Sequence, residues 1–182
     1  VRISFTGELG YEIYVAPQYQ LKLFEAIEEV GEDLDLKWFG GRALMSMRLE
    51  KSWGAWTMDF RPDFTIMESG LDFFVDWDKD FIGKKAALIE KMKGPTKKLS
   101  VIQIETETDV SGDEAVMHNG ECVSYITSGG YGHSVQRSLA MTYLPVELID
   151  SKTTLEVEIL GEFHKASIVM EPLYDPSGSK MR

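Results

Sequence analysis

The sequence predicts an α+β chain in which a mixed, partly helical segment over residues 1–95 leads into a small all-β barrel over residues 96–182. Three observations predict it. Apolar residues recur at helical spacing at Leu21, Phe24, Ile27 and Val30. Past Lys97-Lys98 the texture changes to short β-type runs, separated by turn residues at the spacing of a small barrel or sandwich. Between these textures Gly94-Pro95 ends a helical stretch and places a boundary near residues 93–97.

Taken in order, Arg2 to Phe5 and Tyr11 to Val15 read as two short strands of a β-hairpin, joined by Thr6-Gly7-Glu8-Leu9-Gly10. Pro17 suits a first helical turn, and the amphipathic helix that follows stops at Gly31. Gly40-Gly41 opens a second helix through about Glu50, with Leu44, Met45, Met47 and Leu49 as its apolar set. Lys51 to Asp63 is an irregular, Trp-rich loop that leads back into a strand at Leu71 to Val75. Phe81 to Met92 is helical. The β-type runs are Leu99 to Ile104, Val116 to His118, Glu121 to Thr127, Ser138 to Leu144, Leu155 to Leu160 and Phe163 to Met170. Ser128 to Gly132 reads as a turn, and Asp175 to Lys180 as a loose tail.

Composition excludes several classes. With 43% hydrophobic and 11% aromatic residues in 182, there is material for a packed core rather than a disordered chain. Thirty acidic residues against nineteen basic give a net charge of −11, the wrong sign for a phosphate backbone, so nucleic acid is not an expected partner. No apolar run approaches the ~18 residues of a membrane span, and no membrane partner is expected. Cys122 is the only cysteine, which rules out an internal disulfide and suits a reducing compartment. The chain opens on Val1 and enters directly as a strand, as expected of a fragment or processed product.

Candidate functional residues each admit a plainer reading. Glu8 and Glu12 are either solvated turn and edge-strand charges or groups of a recognition site. A carboxylate can accept two parallel N–H donors, as offered by the amidine-like edge of a pterin, given aromatic walls; Tyr11, Phe5, Trp53 and Trp56 are candidates, and all could equally be core residues. Arg42 and Arg48 could bind a substrate carboxylate, though surface pairing on the helix is favoured. His118, His133 and His164 lack metal-site spacing, and no metal is expected; Cys122 with His118 has no third orienting group for nucleophilic catalysis.

The order and spacing of Arg2-Ile3-Ser4-Phe5-Thr6-Gly7-Glu8-Leu9-Gly10-Tyr11-Glu12, Ser46-Met47-Arg48-Leu49-Glu50-Lys51, Glu68-Ser69-Gly70-Leu71, Phe81-Ile82-Gly83-Lys84 and Thr127 to Gly132 is specific. It resembles the C-terminal half of the glycine-cleavage T-protein (aminomethyltransferase) superfamily, and most closely the folate-binding region of dimethylglycine and sarcosine dehydrogenases and oxidases. The resemblance implies tetrahydrofolate in the central hole of three subdomains. Residues 1–95 would be the C-terminal part of the folate-binding domain and residues 96–182 its C-terminal β-barrel domain. It also implies that Glu12 contacts the pterin, with Tyr11 and Trp56 as further cofactor-binding positions. Leu44 stands where the family carries a folate-contacting Arg, and Phe5 where T-proteins carry Tyr. The family's key acidic residue lies upstream and has no counterpart here, so the catalytic residue is not assigned.

The expected function follows from that resemblance. The intact parent would be a tetrahydrofolate-dependent, aminomethyltransferase-like enzyme that transfers a one-carbon unit from a methylated amine or a glycine-derived aminomethyl group to folate. The alternative is a non-catalytic folate-binding or structural module of a dimethylglycine or sarcosine dehydrogenase-type protein. Expected partners are folate, a small amine substrate and an upstream half or flavin domain; flavin enters only with such a domain. The expected location is cytoplasmic, or the mitochondrial matrix in a eukaryote.

Overall fold

Side-chain alternation builds the second half of the molecule. In Thr154–Ile159, Leu155, Val157 and Ile159 turn inward while Glu156 and Glu158 turn to solvent, the period-2 pattern of a half-buried strand. The computed structural model describes residues 1–182. Its six strands are β1 (Lys97–Ile104), β2 (Ala115–His118), β3 (Glu121–Gly132), β4 (Arg137–Pro145), β5 (Thr154–Ile159) and β6 (Glu162–Val169). All neighbours run antiparallel, and the order β1-β4-β3-β2-β5-β6 closes on itself because β6 pairs back onto β1. Closure leaves no unpaired sheet edge. Ile102, Val116, Ile126, Leu144, Leu155 and Val157 fill the interior with 0% exposure, each stabilising the fold by about 1.5–3 kcal/mol relative to an exposed position.

One strand is buried on both faces. Every residue from Ser138 to Leu144 in β4 is buried, because helix α2 (Gly41–Glu50) lies on the outside of the barrel and sets Leu49 against Val101, Leu139 and Met141. The hydroxyl of Ser46 donates to the carbonyl of Tyr131 at 2.6 Å and fixes α2 along β3. This packing explains the glycine-rich segment expected to be a turn. Ser128 to Gly132 instead continues β3, and its glycines admit α2 closely: a Cβ on Gly132 would stand 3.0 Å from Glu50 Cγ, and one on Gly130 3.4 Å from Leu49 Cδ1.

The first half is organised differently. Helix α1 (Gln20–Gly31) follows a 3-10 turn over Pro17–Tyr19, as the proline and the apolar spacing predict. Its apolar stripe is nevertheless open, with Leu21 67% and Val30 71% exposed. Phe24 stacks on Trp38 with ring centroids 4.8 Å apart. Helix α3 (Lys84–Lys93) begins three residues later than expected. The expected hairpin is reduced to a single bridge between Arg2 and Tyr11, with the Ile3 amide donating to the Gly10 carbonyl at 3.2 Å and the Glu12 amide to the Val1 carbonyl at 2.8 Å.

Two further expectations are corrected. Leu71 to Val75 is not a strand; Asp72–Phe74 forms a 3-10 turn, because no neighbouring strand supplies ladder partners and two adjacent aromatics face outward. The terminal segment is not loose either. Asp175 caps the Ser179 and Lys180 amides, and the Leu9 amide donates to the Lys180 carbonyl at 2.9 Å.

Candidate functional site

A cleft of about 990 Å³ opens where the Trp-rich loop, the Asp72–Phe74 turn, residues 3–5 and Glu12 meet one side of the barrel. Leu99 and Val101 of β1 form its floor, and most of its lining is hydrophobic. Trp56 stands over it against Phe60, in an edge-to-face contact with centroids 5.3 Å apart, and remains 75% exposed. Phe73 and Phe74 also line it, both about three-quarters exposed at 73% and 75%. Large aromatic faces left open in a concave site are stacking surfaces for a flat ligand.

Glu12 is among the residues that line this cleft. It is exposed, and the Tyr14 hydroxyl donates to its Oε2 at 2.6 Å. That bond, with the charge of Glu12, pushes the Tyr14 phenol above its ordinary value. The structure thus brings Glu12, Trp56, Trp53 and Phe5 to one cleft. Tyr11 does not line it. Together with Ile13 and Tyr14 it faces a neighbouring depression of about 490 Å³, which Glu12 also borders. Glu8 lies outside both, where its carboxylate accepts from the Tyr174 hydroxyl.

Arg48 contradicts its expected surface role. Its side chain is 1% exposed and its Nη1 donates to Asp59 Oδ2 at 2.9 Å and to the Trp53 carbonyl at 2.9 Å. Asp59, 0% exposed, also accepts from the Ala55 amide at 2.8 Å and, on its other oxygen, from the hydroxyls of Thr127 and Ser128. The Tyr143 hydroxyl donates to the Asp59 carbonyl at 2.9 Å. Burial lowers the Arg48 guanidinium from its ordinary value, while the Asp59 charge pulls it back up. A charge pair this deep persists only because nearly all its polar atoms are matched. It ties α2, the Trp-rich loop, β3 and β4 together. Arg42, by contrast, is exposed.

Sequence reasoning missed Phe73 and Phe74 as cleft residues, since a strand would have turned one of them inward. It missed Asp59 altogether, because the helix that carries Arg48 ends at Glu50 and Asp59 lies in the irregular loop beyond it, where no local period predicts its place. His118 bonds to the Thr154 carbonyl, and no group of three or more His, Cys, Asp or Glu side chains could hold a metal ion. No helix is long and apolar enough to cross a membrane.

Residues 1–79 match the GCVT N-terminal domain, and residues 97–175 match the glycine cleavage T-protein C-terminal barrel domain. The chain belongs to the glycine-cleavage T-protein superfamily. Human mitochondrial dimethylglycine dehydrogenase is 40% identical over 176 residues, which are 95% of this chain and 20% of that protein. An aminomethyltransferase of Desulfitobacterium hafniense is 32% identical over 97% of this chain and 49% of its own length. The crystal structure of aminomethyltransferase T from Bartonella henselae superposes with a TM-score of 0.87 at 28% identity, covering 96% of this chain and 49% of that one. The chain therefore spans a fifth to a half of these relatives. The superfamily's mixed domain followed by its barrel is the α+β order that the sequence predicts.

Proposed function

We propose that this chain supplies the C-terminal part of a tetrahydrofolate site in an aminomethyltransferase-like parent, with residues 1–95 and 96–182 as its two units. One observation carries the reading: Glu12 lines the aromatic cleft that holds Trp56. The cleft fits a flat heterocycle with a donor edge, since its walls are mostly apolar and two carboxylate residues, Glu12 and Glu171, line it beside a single lysine, Lys98. Glu12 accepts the paired N–H donors of the pterin, Trp56 offers a ring face, and Tyr11 contacts the ligand's surroundings from the adjoining depression. The folate supplies the amines that receive the one-carbon unit from a methylated or aminomethyl amine. The chain's own residues bind and orient, and positioning alone can lower a barrier by several kcal/mol. A flavin belongs only to a separate domain of a larger parent, and the location is the cytosol or the mitochondrial matrix.

Calorimetry on the full-length parent tests this. Hydrogen bonds to a charged group are worth about 1.5–3 kcal/mol, so Glu12→Ala should raise the Kd for tetrahydrofolate roughly 10- to 100-fold. An unchanged Kd overturns the assignment of Glu12. A second reading, a structural module that docks on a larger enzyme, is favoured by the open apolar stripe of α1. It predicts no folate binding and no loss from Glu12→Ala.

A further inference from the structure

The turn that delivers Glu12 is gripped by the opposite end of the chain. Lys51, just past the end of α2, has a side chain only 3% exposed, and its Nζ donates to the Asp175 carbonyl at 2.6 Å and to Asp175 Oδ2 at 3.3 Å. The Lys51 stem is the seat of the turn. Gly7 lies so close that a Cβ there would stand 2.5 Å from Lys51 Cγ, and its φ of +85° is a conformation that side chains resist. A buried lysine needs its charge matched, and Asp175 is the group that matches it.

The same segment holds the turn at three more points. The Leu9 amide donates to the Lys180 carbonyl at 2.9 Å. The Tyr174 hydroxyl donates to the Glu8 carboxylate, and Lys180 Nζ donates to that hydroxyl at 2.7 Å. Arg2 Nη2 donates to the Met181 carbonyl at 2.8 Å on the other limb of the hairpin. The segment is itself rigidified: the Asp175 carboxylate accepts from the Ser179 hydroxyl at 2.7 Å and from the Ser179 and Lys180 amides at 2.9 and 3.1 Å. The Tyr174 amide donates to the Glu50 carbonyl at 3.1 Å and roots it on the end of α2.

We propose that residues 173–182 are a strap that positions the Glu12 segment at the cleft, with Lys51 and Asp175 as its positioning residues. The inference rests on the folate reading of Glu12. It explains why Glu8 and Glu12, four residues apart, do different work: Glu8 is tied down by Tyr174, and Glu12 is thereby set at the cleft. A group with only one neighbouring hydroxyl to orient it depends on its backbone for placement, and a misplacement of ~1 Å can cost as much as 100-fold in function.

The test uses the full-length parent with tetrahydrofolate as the titrant, comparing Lys51→Met, Asp175→Asn and Glu12→Ala singly and in pairs. Asp175→Asn keeps the side chain's shape and serves even where Lys51→Met fails to fold. The expected result is a rise of roughly tenfold in Kd for each strap variant, with KM for folate affected more than kcat. Combination with Glu12→Ala should add almost nothing further, because both changes remove one function. Amide exchange at Leu9 and Glu12 should accelerate in the strap variants. An unchanged Kd in the strap variants beside a weakened Glu12→Ala, or fully additive losses, overturns the strap. Faster exchange with no loss of affinity even in Glu12→Ala overturns the folate reading and leaves the strap's grip on the turn in place.

Discussion

The barrel and the segment before it are held by different forces. Of the eighteen buried hydrophobic residues, sixteen lie beyond residue 95, and only Leu49 and Ala55 precede it. The first half buries ionic groups instead: Arg48, Glu50, Lys51, Asp59 and Glu68. Its apolar side chains, including Ile13, Tyr14, Leu21, Val30 and Trp38, are largely open. Apolar burial is non-directional and tolerant, and it suits a closed barrel whose purpose is to be a scaffold. Charge pairs and hydrogen bonds are directional, so they fix the orientation of loops that must present particular side chains to a cleft.

The contrast can be broken first at its polar end. Asp59→Ala leaves the Arg48 guanidinium buried without its partner and should cost about 3–5 kcal/mol in urea denaturation. Replacing the pair together, with Arg48→Met added, should recover much of that loss; a cost below about 1 kcal/mol for Asp59→Ala would show that the network is not what holds the loop. At the apolar end, Leu155→Ala removes a fully buried side chain and should cost about 2–5 kcal/mol, whereas Leu21→Ala on the open face of α1 should stay within about 0.5 kcal/mol. Equal losses at the two leucines would mean that the stripe of α1 is covered in solution.

Smaller effects sharpen the same comparison. Backbone amides at Ile102 and Leu144 should exchange at rates set by global unfolding, and those of α1 much faster through local opening. The smallest effect concerns the strap. The hydroxyl of Ser179 first, then the Lys180 and Ser179 amides and the Lys51 ammonium, hold the Asp175 carboxyl well below its ordinary 3.8. Its contribution is therefore complete above about pH 4 and fades as the pH falls from there through the lower folded value. Exchange at the Leu9 amide should accelerate over that acid range while the barrel amides change less, and an acceleration that sets in only at higher pH would assign the loosening to another group.

The sequence carried the parts of this protein that depend on local period. Leu155, Val157 and Ile159 announce an inward face because side chains alternate along any extended backbone. Leu21, Phe24, Ile27 and Val30 announce a helix for the corresponding reason at 3.6 residues per turn. The ordered motifs from Arg2 to Gly132 carried the family as well, and with it the idea that Glu12 meets a pterin. What period cannot carry is which distant group arrives beside a side chain. Arg48 reads as a surface charge until Asp59 and, 68 residues beyond it, Thr127 converge on one buried point. Ser128 to Gly132 reads as a turn until α2 presses on it, and Asp175 to Lys180 reads as a tail until Lys51 reaches it. In each case the deciding quantity is a contact between segments remote in the chain, and only the folded structure brings those segments within bonding distance.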